Sequence, residues 1–581
     1  MSINQSDLSA SQFGYDFVVA TTLESLNATM FQFIEKANMP QITKYYWYKD
    51  KTNTPVEVDL KTLLATKQSN SNPSGTANVD PASVVNWDGT GTAPTGIKEL
   101  GGSSFACGFK AEIGIPPGFA LPGAPNPQTL PVLPNMVTFD QTSLSVTFNL
   151  YCSSFQVFQP AWARFGLSSY LNQSQPSGSA WYLQTTIPIS KILDNKNLPK
   201  AVQDQLNAMG SDFSVQRLFI DLDQPSKATA SSVIFGGITP GSALQTVIAE
   251  VFTGTYCTTL NQSGMPALGY TILPNTPPHV SSSLHLGSME LEVVPYNNPA
   301  GGGNTEPGLD TFNYLCSEGA TPPPANLLTW NWFDTQAEAI NYSGVVAVNR
   351  NALIKWLAPS IYNAAKACCY SPSVRVWLSG FLGTTVNYSW SLTGYQNPTV
   401  TYSTTGSTVY KLNWSSPTAS DSAGLGGDMG KMELSSSYSA SVDFSGNTIT
   451  ITQNLIIYVS ARGTFGVSAS GNAVNKTITD TYTLDVTQNG QLSVTRTSKT
   501  SDDANIDYPG AFRNFWGSNI KKIEDDVADW AKNLVATSFT DIPVSTMQSF
   551  VFPGGNPFAY ASVTFSDNQD LVSHITYTNP A

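Results

Sequence analysis

Charge is what this chain has least of. Lysine, arginine, aspartate and glutamate make up 12% of its 581 residues, about half the share usual in a globular protein. Serine, threonine, asparagine and glutamine supply the missing polarity, and 41% apolar residues keep the composition that of a folded chain. Acidic residues outnumber basic ones 41 to 28, and no dense Lys/Arg run offsets them, which argues against nucleic acid as the main partner. Histidine is scarce: His279, His285 and His574 show no HExxH and no zinc-type spacing. There is no CxxC, so Cys107, Cys152, Cys257, Cys316, Cys368 and Cys369 read mostly as buried free thiols of a reducing compartment. No run of 18 apolar residues offers a membrane-spanning helix. The opening MSINQSDLSASQ lacks the basic and apolar segments of a cleavable leader. The expectation is a cytoplasmic protein, released, if at all, by a non-classical route.

Catalytic motifs are missing too. Gly466 to Gly471 fails the GxSxG elbow by one position, and Gly424 to Gly430 fits neither the dinucleotide fingerprint nor the phosphate loop. A glycosidase carboxylate pair leaves no such mark, because its pairing is spatial. The expectation is a protein without catalytic activity, cofactor or metal.

What is present in quantity is turn and strand material: 44 Gly, 37 Pro, 28 Phe and 24 Tyr. The chain is organised around Gly14 to Ala37. Phe17 to Ala20 suit a strand, and Thr21 with Glu24 forms a capping box. Leu23, Leu26, Met30, Phe33, Ile34 and Ala37 then recur at three and four residues, predicting an amphipathic helix laid against a sheet. The sequon Asn27-Ala-Thr29 falls inside that helix, where a glycan would obstruct packing.

Further on, Ile42 to Tyr48 reads as an aromatic strand, and the polar stretch 67–91 as a long loop. The proline-crowded stretch from Phe109 to Val137 is expected to exclude a central strand. Alternation predicts strands at Ser143–Tyr151, Arg217–Asp223 and Ser288–Val294, with a short helix over Gly241–Thr253. Gly- and Pro-rich residues from Pro295 to Asn326 mark a boundary. Beyond it the opening pattern recurs. Gly344–Val348 is a small strand, Asn349 and Asn351 are candidate caps, and Leu353, Trp356, Leu357, Ile361, Ala364 and Cys368 form a stripe on a helix that contains Pro359. Strands follow around Asn447–Thr452 and on both sides of Asn489-Gly490, a strong hairpin signal. A third amphipathic helix covers Asn519–Val535, its acidic cluster read as a solvated face because helical neighbours point around the axis.

Gly14-Tyr15-Asp16, then Val18, Ala20, a cap and Asn27, resembles the opening signature of the clostridial 47-kilodalton and OrfX proteins encoded beside botulinum-type neurotoxins. Gly344 to Pro359 resembles a matching segment of that family, and Phe552-Pro-Gly-Gly555 its C-terminal region more weakly. Together these cover about 70 residues of the chain's 581. The resemblance implies an α+β architecture of the tubular lipid-binding (TULIP) type. In that architecture long amphipathic helices are wrapped by highly curved antiparallel sheets, in two tandem subdomains, here 1–330 and 331–581. It further implies a lipid tunnel lined by Leu23, Leu26, Met30 and Ile34, and a second by Leu353, Trp356, Leu357 and Ile361. Solid apolar core would give the same stripes. Three readings follow: a non-enzymatic protein that engages lipid or a membrane surface within a toxin-associated complex, a protein-interaction subunit with filled cores, and a carbohydrate-binding β-protein.

Overall fold

The computed structural model describes residues 3–36, 41–48, 54–63, 92, 100, 105–123, 129–140, 145–163, 166–188, 234–236, 284, 288–298, 306–319, 328–381, 385–425, 429–463, 467–487, 492–507, 517–538 and 558–577. They form a β-rich protein of antiparallel sheets with few helices.

The two strand-and-helix openings lie side by side. β1 (Phe17–Thr22) pairs antiparallel with β12 (Gly344–Val348), Phe17 facing Val348 and Thr21 facing Gly344. Outside β1 come β11 (Thr311–Ser317) and β10 (Ser288–Val294). Outside β12 comes β25 (Leu571–Tyr577), which pairs with both β23 (Phe558–Tyr560) and β24 (Thr564–Phe565). Continuous apolar runs suit strands covered on both faces, and β1 and β12 are buried throughout. Phe17, Val19, Val346 and Val348 join the main apolar cluster. The alternate residues Val18, Ala20, Val345 and Ala347 join a second one with Phe13, Tyr15, Trp330 and Trp332.

A second sheet runs β3 (Pro55–Val58), β2 (Ile42–Tyr48), β4 (Phe105–Ile113), β6 (Ser145–Ala163), β8 (Tyr182–Pro188), β9 (Ile234–Gly236). β6 also takes β5 (Val137–Asp140) and β7 (Gly166–Ser174). The 19-residue β6 changes partners near Cys152, from β5 and β8 to β4 and β7. A third sheet runs β15 (Thr399–Tyr402), β16 (Thr408–Ser415), β18 (Gly430–Ser445), β19 (Thr448–Arg462), β20 (Ser468–Val486), β21 (Leu492–Asp502), with β17 (Ala419–Ala423) on β18 and β22 (Asn505–Asp507) on β20. Strict alternation of buried and half-exposed residues along β18 and most of β19 gives this sheet one apolar face. The hairpin β13 (Ser371–Ser379) and β14 (Thr385–Thr393) lies against β17 and β18.

Helix α1 (Leu23–Lys36) lies against β1 and β5, α3 (Arg350–Ala367) against β16, and α4 (Gly517–Ser538) against β19 and β20. The short α2 (Gln336–Asn341) precedes β12.

Strands β2 and β10 match the sequence expectation residue for residue. Three details differ. The cap of α1 is Thr22, whose Oγ1 accepts the Ser25 N–H at 3.1 Å; Thr21 is held in the sheet opposite Phe312. β4 runs to Ile113 in a central position, because the prolines begin only at Pro116. β6 continues 12 residues past the expected end at Tyr151, with Pro160 tolerated opposite Tyr170 of β7. Residues 67–91, 217–223 and 241–253, and the Asn489-Gly490 turn, lie outside the described residues; Val486 and Leu492 pair across that turn.

Candidate functional site

Gly14, Tyr15, Asp16 and Asn349, which carry part of the family resemblance, meet where the two openings pair, while Phe552 to Gly555 lie outside the described residues. Gly14 has φ 142°, a value few side chains tolerate. Tyr15 is buried against Phe13, in the cluster that also holds Trp330 and Trp332. The Asp16 carboxylate accepts the Glu318 N–H at 2.8 Å and the Ser317 hydroxyl at 3.2 Å, closing the end of β11. Its carbonyl accepts the Asn349 N–H at 2.9 Å. Asn349 caps α3 by accepting the Asn351 N–H at 2.8 Å, and its amide donates to the carbonyls of Leu8 and Tyr15, both at 2.9 Å.

From these starts the two helices carry their stripes inward. Leu23, Leu26, Met30, Ile34, Leu353, Leu357 and Ile361 are buried, and Trp356 is half-buried. All eight belong to, or pack against, one apolar cluster shared with the inner residues of the three sheets. One polar residue interrupts the α1 stripe. The buried Asn27 donates to the carbonyls of Leu23 (2.9 Å) and Val137 (3.0 Å) and accepts the Val137 N–H at 2.9 Å. Its amide therefore acts as a strand partner for β5 and leaves no room for a glycan. A cavity of about 10 Å3 lies between Tyr45, Leu60, Leu100, Gly108, Phe109, Lys110, Gln156 and Phe158. It is large enough for about one water, and none of the eight stripe residues lines it.

Three buried polar centres surround the seam. Asp570 accepts the Ser6 hydroxyl (2.8 Å) and the N–H groups of Leu8 (2.6 Å) and Arg350 (3.1 Å), and burial pushes its carboxyl up to about 6. The Arg350 guanidinium donates to the Gln569 side chain and to the carbonyls of Ser403 and Gly406; burial lowers its pKa, with Asp570 and Asp7 opposing. Glu292 accepts from the Asn313 amide and the Leu328 N–H, yet burial pushes it up to about 7.

His574 is the third centre. Its ring stacks on Tyr342 at 4.5 Å, with Ser562 Oγ 2.9 Å from Nδ1 and Glu338 Oε1 3.7 Å from Nε2. That is a serine, histidine, carboxylate order. However, Ser562 Oγ also accepts the N–H of His574 itself, which makes the contact a local strand link, and 3.7 Å exceeds hydrogen-bond reach. Burial lowers the imidazole pKa and Glu338 opposes it. His279 and His285 lie outside the described residues.

Among the described residues no group of three or more His, Cys, Asp or Glu is arranged to hold a metal. Asp525, Asp526 and Asp529 of α4 face solvent, while Val527 and Ala531 are buried. Cys107, Cys152, Cys316, Cys368 and Cys369 are buried and free, and burial pushes the thiols of Cys107, Cys152, Cys368 and Cys369 up to about 12. No described helix is long and apolar enough to cross a membrane.

Glu292 and Asp570 are polar residues that sequence reasoning missed, and Asn27 is one whose buried contacts it did not foresee. Only Asn27 carried a usable signal: it stands four residues after Leu23 and three before Met30, on the apolar side of α1.

The described residues thus define a β-rich protein of antiparallel sheets with three amphipathic helices, α1, α3 and α4, whose apolar sides share one core. Neither a protein-family model nor a curated protein matches the chain. Among solved structures it is similar to P47 from Clostridium botulinum A2, with 10% sequence identity, 97% of this chain and 98% of that chain covered, and a TM-score of 0.34. It is also similar to a lipopolysaccharide binding protein, with 9% identity, 97% and 100% covered, and a TM-score of 0.26.

Proposed function

We propose that this is a non-enzymatic lipid- or membrane-interacting protein, a component of a toxin-associated assembly. It is built as two TULIP-like subdomains, residues 1–330 and 331–581, joined through the sheet that both openings share. The observation that carries the reading is the placement of α1 and α3. Each follows a central strand and carries an apolar stripe into the core it shares with the antiparallel sheets. Acyl chains would lie along Leu23, Leu26, Met30 and Ile34, and along Leu353, Trp356, Leu357 and Ile361. A 14-carbon chain buried there would contribute roughly 10 kcal/mol before ordering costs. Native mass spectrometry of gently isolated protein should find copurifying lipid. Met30→Trp or Leu357→Trp should abolish lipid uptake and leave the fold intact.

A second reading, a protein-interaction subunit with filled cores, is favoured by the near-complete burial of seven stripe residues in the apolar cluster. It gives the opposite results: bare polypeptide in the mass spectrum, and unfolding on either tryptophan substitution.

A further inference from the structure

Tyrosines gather at one edge of the third sheet. Tyr402 ends the edge strand β15 and stands opposite Tyr410 of β16, with ring centroids 5.1 Å apart. Tyr402 is 54% exposed, whereas Tyr410 is buried. Helix α3, which lies against β16, adds the half-buried Tyr362. Burial first, then the nearby Tyr402 and Tyr362 phenols, push the Tyr410 hydroxyl up to about 12, so the three phenol groups stand close together. The turn that leads into β15 completes the group. The Gln396 N–H donates to the Cys369 carbonyl at 3.1 Å and the Tyr362 hydroxyl donates to Asn397 Oδ1 at 3.3 Å, which seats this turn on the last turns of α3. There Tyr395 holds φ 64° and is 72% exposed. A bulky residue in the left-handed region is an outlier of the kind that collects at ligand sites.

Composition selects the class of ligand. From Val376 to Tyr410 the chain contains no Asp, Glu, Lys, Arg or His. On α3, Lys366 sits in the last turn, where it offsets the negative end of the helix, and Lys355 lies about 10 Å back from Tyr362 along the axis. A cation finds no carboxylate beside these rings, and an anion finds no cluster of basic residues. Within Gly394 to Tyr410 no aliphatic side chain is exposed, because Pro398 and Val409 are buried and Val400 is half-buried. Among the described residues the hydroxyls of Tyr395, Tyr402 and Tyr410 have no hydrogen-bond partner. Rings that each carry a free hydroxyl, next to the side-chain amides of Gln396 and Asn397, match a sugar. Its C–H faces stack on aromatic rings, and its hydroxyls exchange hydrogen bonds with phenols and amides.

We propose that Tyr362, Tyr395, Tyr402 and Asn397 form a binding site for a neutral oligosaccharide at the edge between α3 and β15. The site goes beyond the lipid reading and stands apart from it, since none of the eight stripe residues takes part. The test is isothermal titration of the full-length protein with neutral oligosaccharides of glucose, mannose, galactose and N-acetylglucosamine, with a heparin oligosaccharide and decaproline as the other arms. At least one neutral sugar should bind with a Kd of about 1 mM or tighter, and salt should not weaken it. Tyr395→Ala with Tyr402→Ala should weaken that binding about tenfold or more. Both side chains are more than half exposed, so Tm should stay nearly unchanged. Tyr362→Phe keeps the ring and loses the bond to Asn397, and should weaken binding about threefold or more. A wild type that binds none of the neutral sugars overturns the proposal, and so does equal binding by the double variant, which places the sugar elsewhere. Binding of heparin alone, or of decaproline alone, also overturns it and gives the rings to a polyanion or to a proline-rich peptide. The lipid reading is decided separately, by whether lipid copurifies.

Discussion

Asn27→Ala should detach the first helix from its sheet. Asn27 makes three hydrogen bonds in a buried setting, two of them to the N–H and C=O of Val137, which is itself fully buried. Alanine strips both backbone groups of their partner, whereas the Leu23 carbonyl keeps its place in the helix ladder. Each buried unsatisfied group costs about 1–3 kcal/mol, so the loss is roughly 2–6 kcal/mol. Hydrogen exchange read by mass spectrometry reports this locally. Protection in Leu23–Lys36 and Val137–Asp140 should fall by roughly a hundredfold, the equivalent of about 3 kcal/mol. Asn27→Asp sharpens the test. It keeps the size but replaces the donor with a buried carboxylate aimed at the Val137 carbonyl, so it should be at least as damaging as alanine. The reasoning is refuted if Asn27→Asp is near neutral, or if the exchange of these two elements changes by less than about fivefold.

Two further substitutions probe the central sheet. Glu292 is raised by burial from 4.5 to about 7, so the folded chain holds this proton more tightly than the unfolded one. Its contribution is largest below about pH 4.5 and is lost as pH climbs toward 7, an amount of roughly 3 kcal/mol. Glu292→Gln should therefore raise Tm at pH 8, with the gain shrinking toward pH 5. The Asn313 Oδ1, which lacks a hydrogen-bond partner, becomes available to the new amide. A gain that does not vary with pH would refute this account. Gly344→Ala would drive a methyl into the Ala20 carbonyl at the centre of the β1/β12 pairing. A loss of about 2 kcal/mol or more is expected, and an unchanged melting curve would mean the strands are not in this register.

The sequence was most legible where side-chain period decides the outcome. Alternation placed Ser288–Val294 without error, since a shift of one residue would turn every apolar group to the wrong face, and aromatic content placed Ile42–Tyr48. It was less legible where backbone pairing overrides local chemistry. Thr21 and Thr22 are equally good caps on paper, and the ladder with Phe312 and Thr311 selects the second. The alternation that marks a strand ends at Tyr151, yet β6 runs on to Ala163 with Pro160 alongside β7. The apolar stripes of α1 and α3 were readable at Leu23, Leu26, Met30, Ile34, Leu353, Leu357 and Ile361. The polar centres were not, because Glu292, Asp570 and His574 become chemically unusual only through neighbours that are distant along the chain: Leu328, Leu8 and Tyr342.

The same seam explains why the signature residues are the ones they are. β1 and β12 are antiparallel, so the helices that follow them depart toward opposite ends of the shared sheet. Each departure needs a capped first turn and an anchor on the neighbouring opening. Asn349 supplies both for α3, by capping Asn351 and reaching back to Tyr15 and Leu8. Thr22 caps α1, while the Leu23 N–H is taken by the Asp310 carbonyl and the Thr22 N–H by the Ser343 carbonyl, just ahead of β12. Asp570 then ties residues 6 and 8 to the first N–H of α3. Neither helix start is therefore satisfied by its own half of the chain alone. A lesion at Asp570 or Asn349 should loosen both openings together, whereas one at Asn27 acts on the first alone.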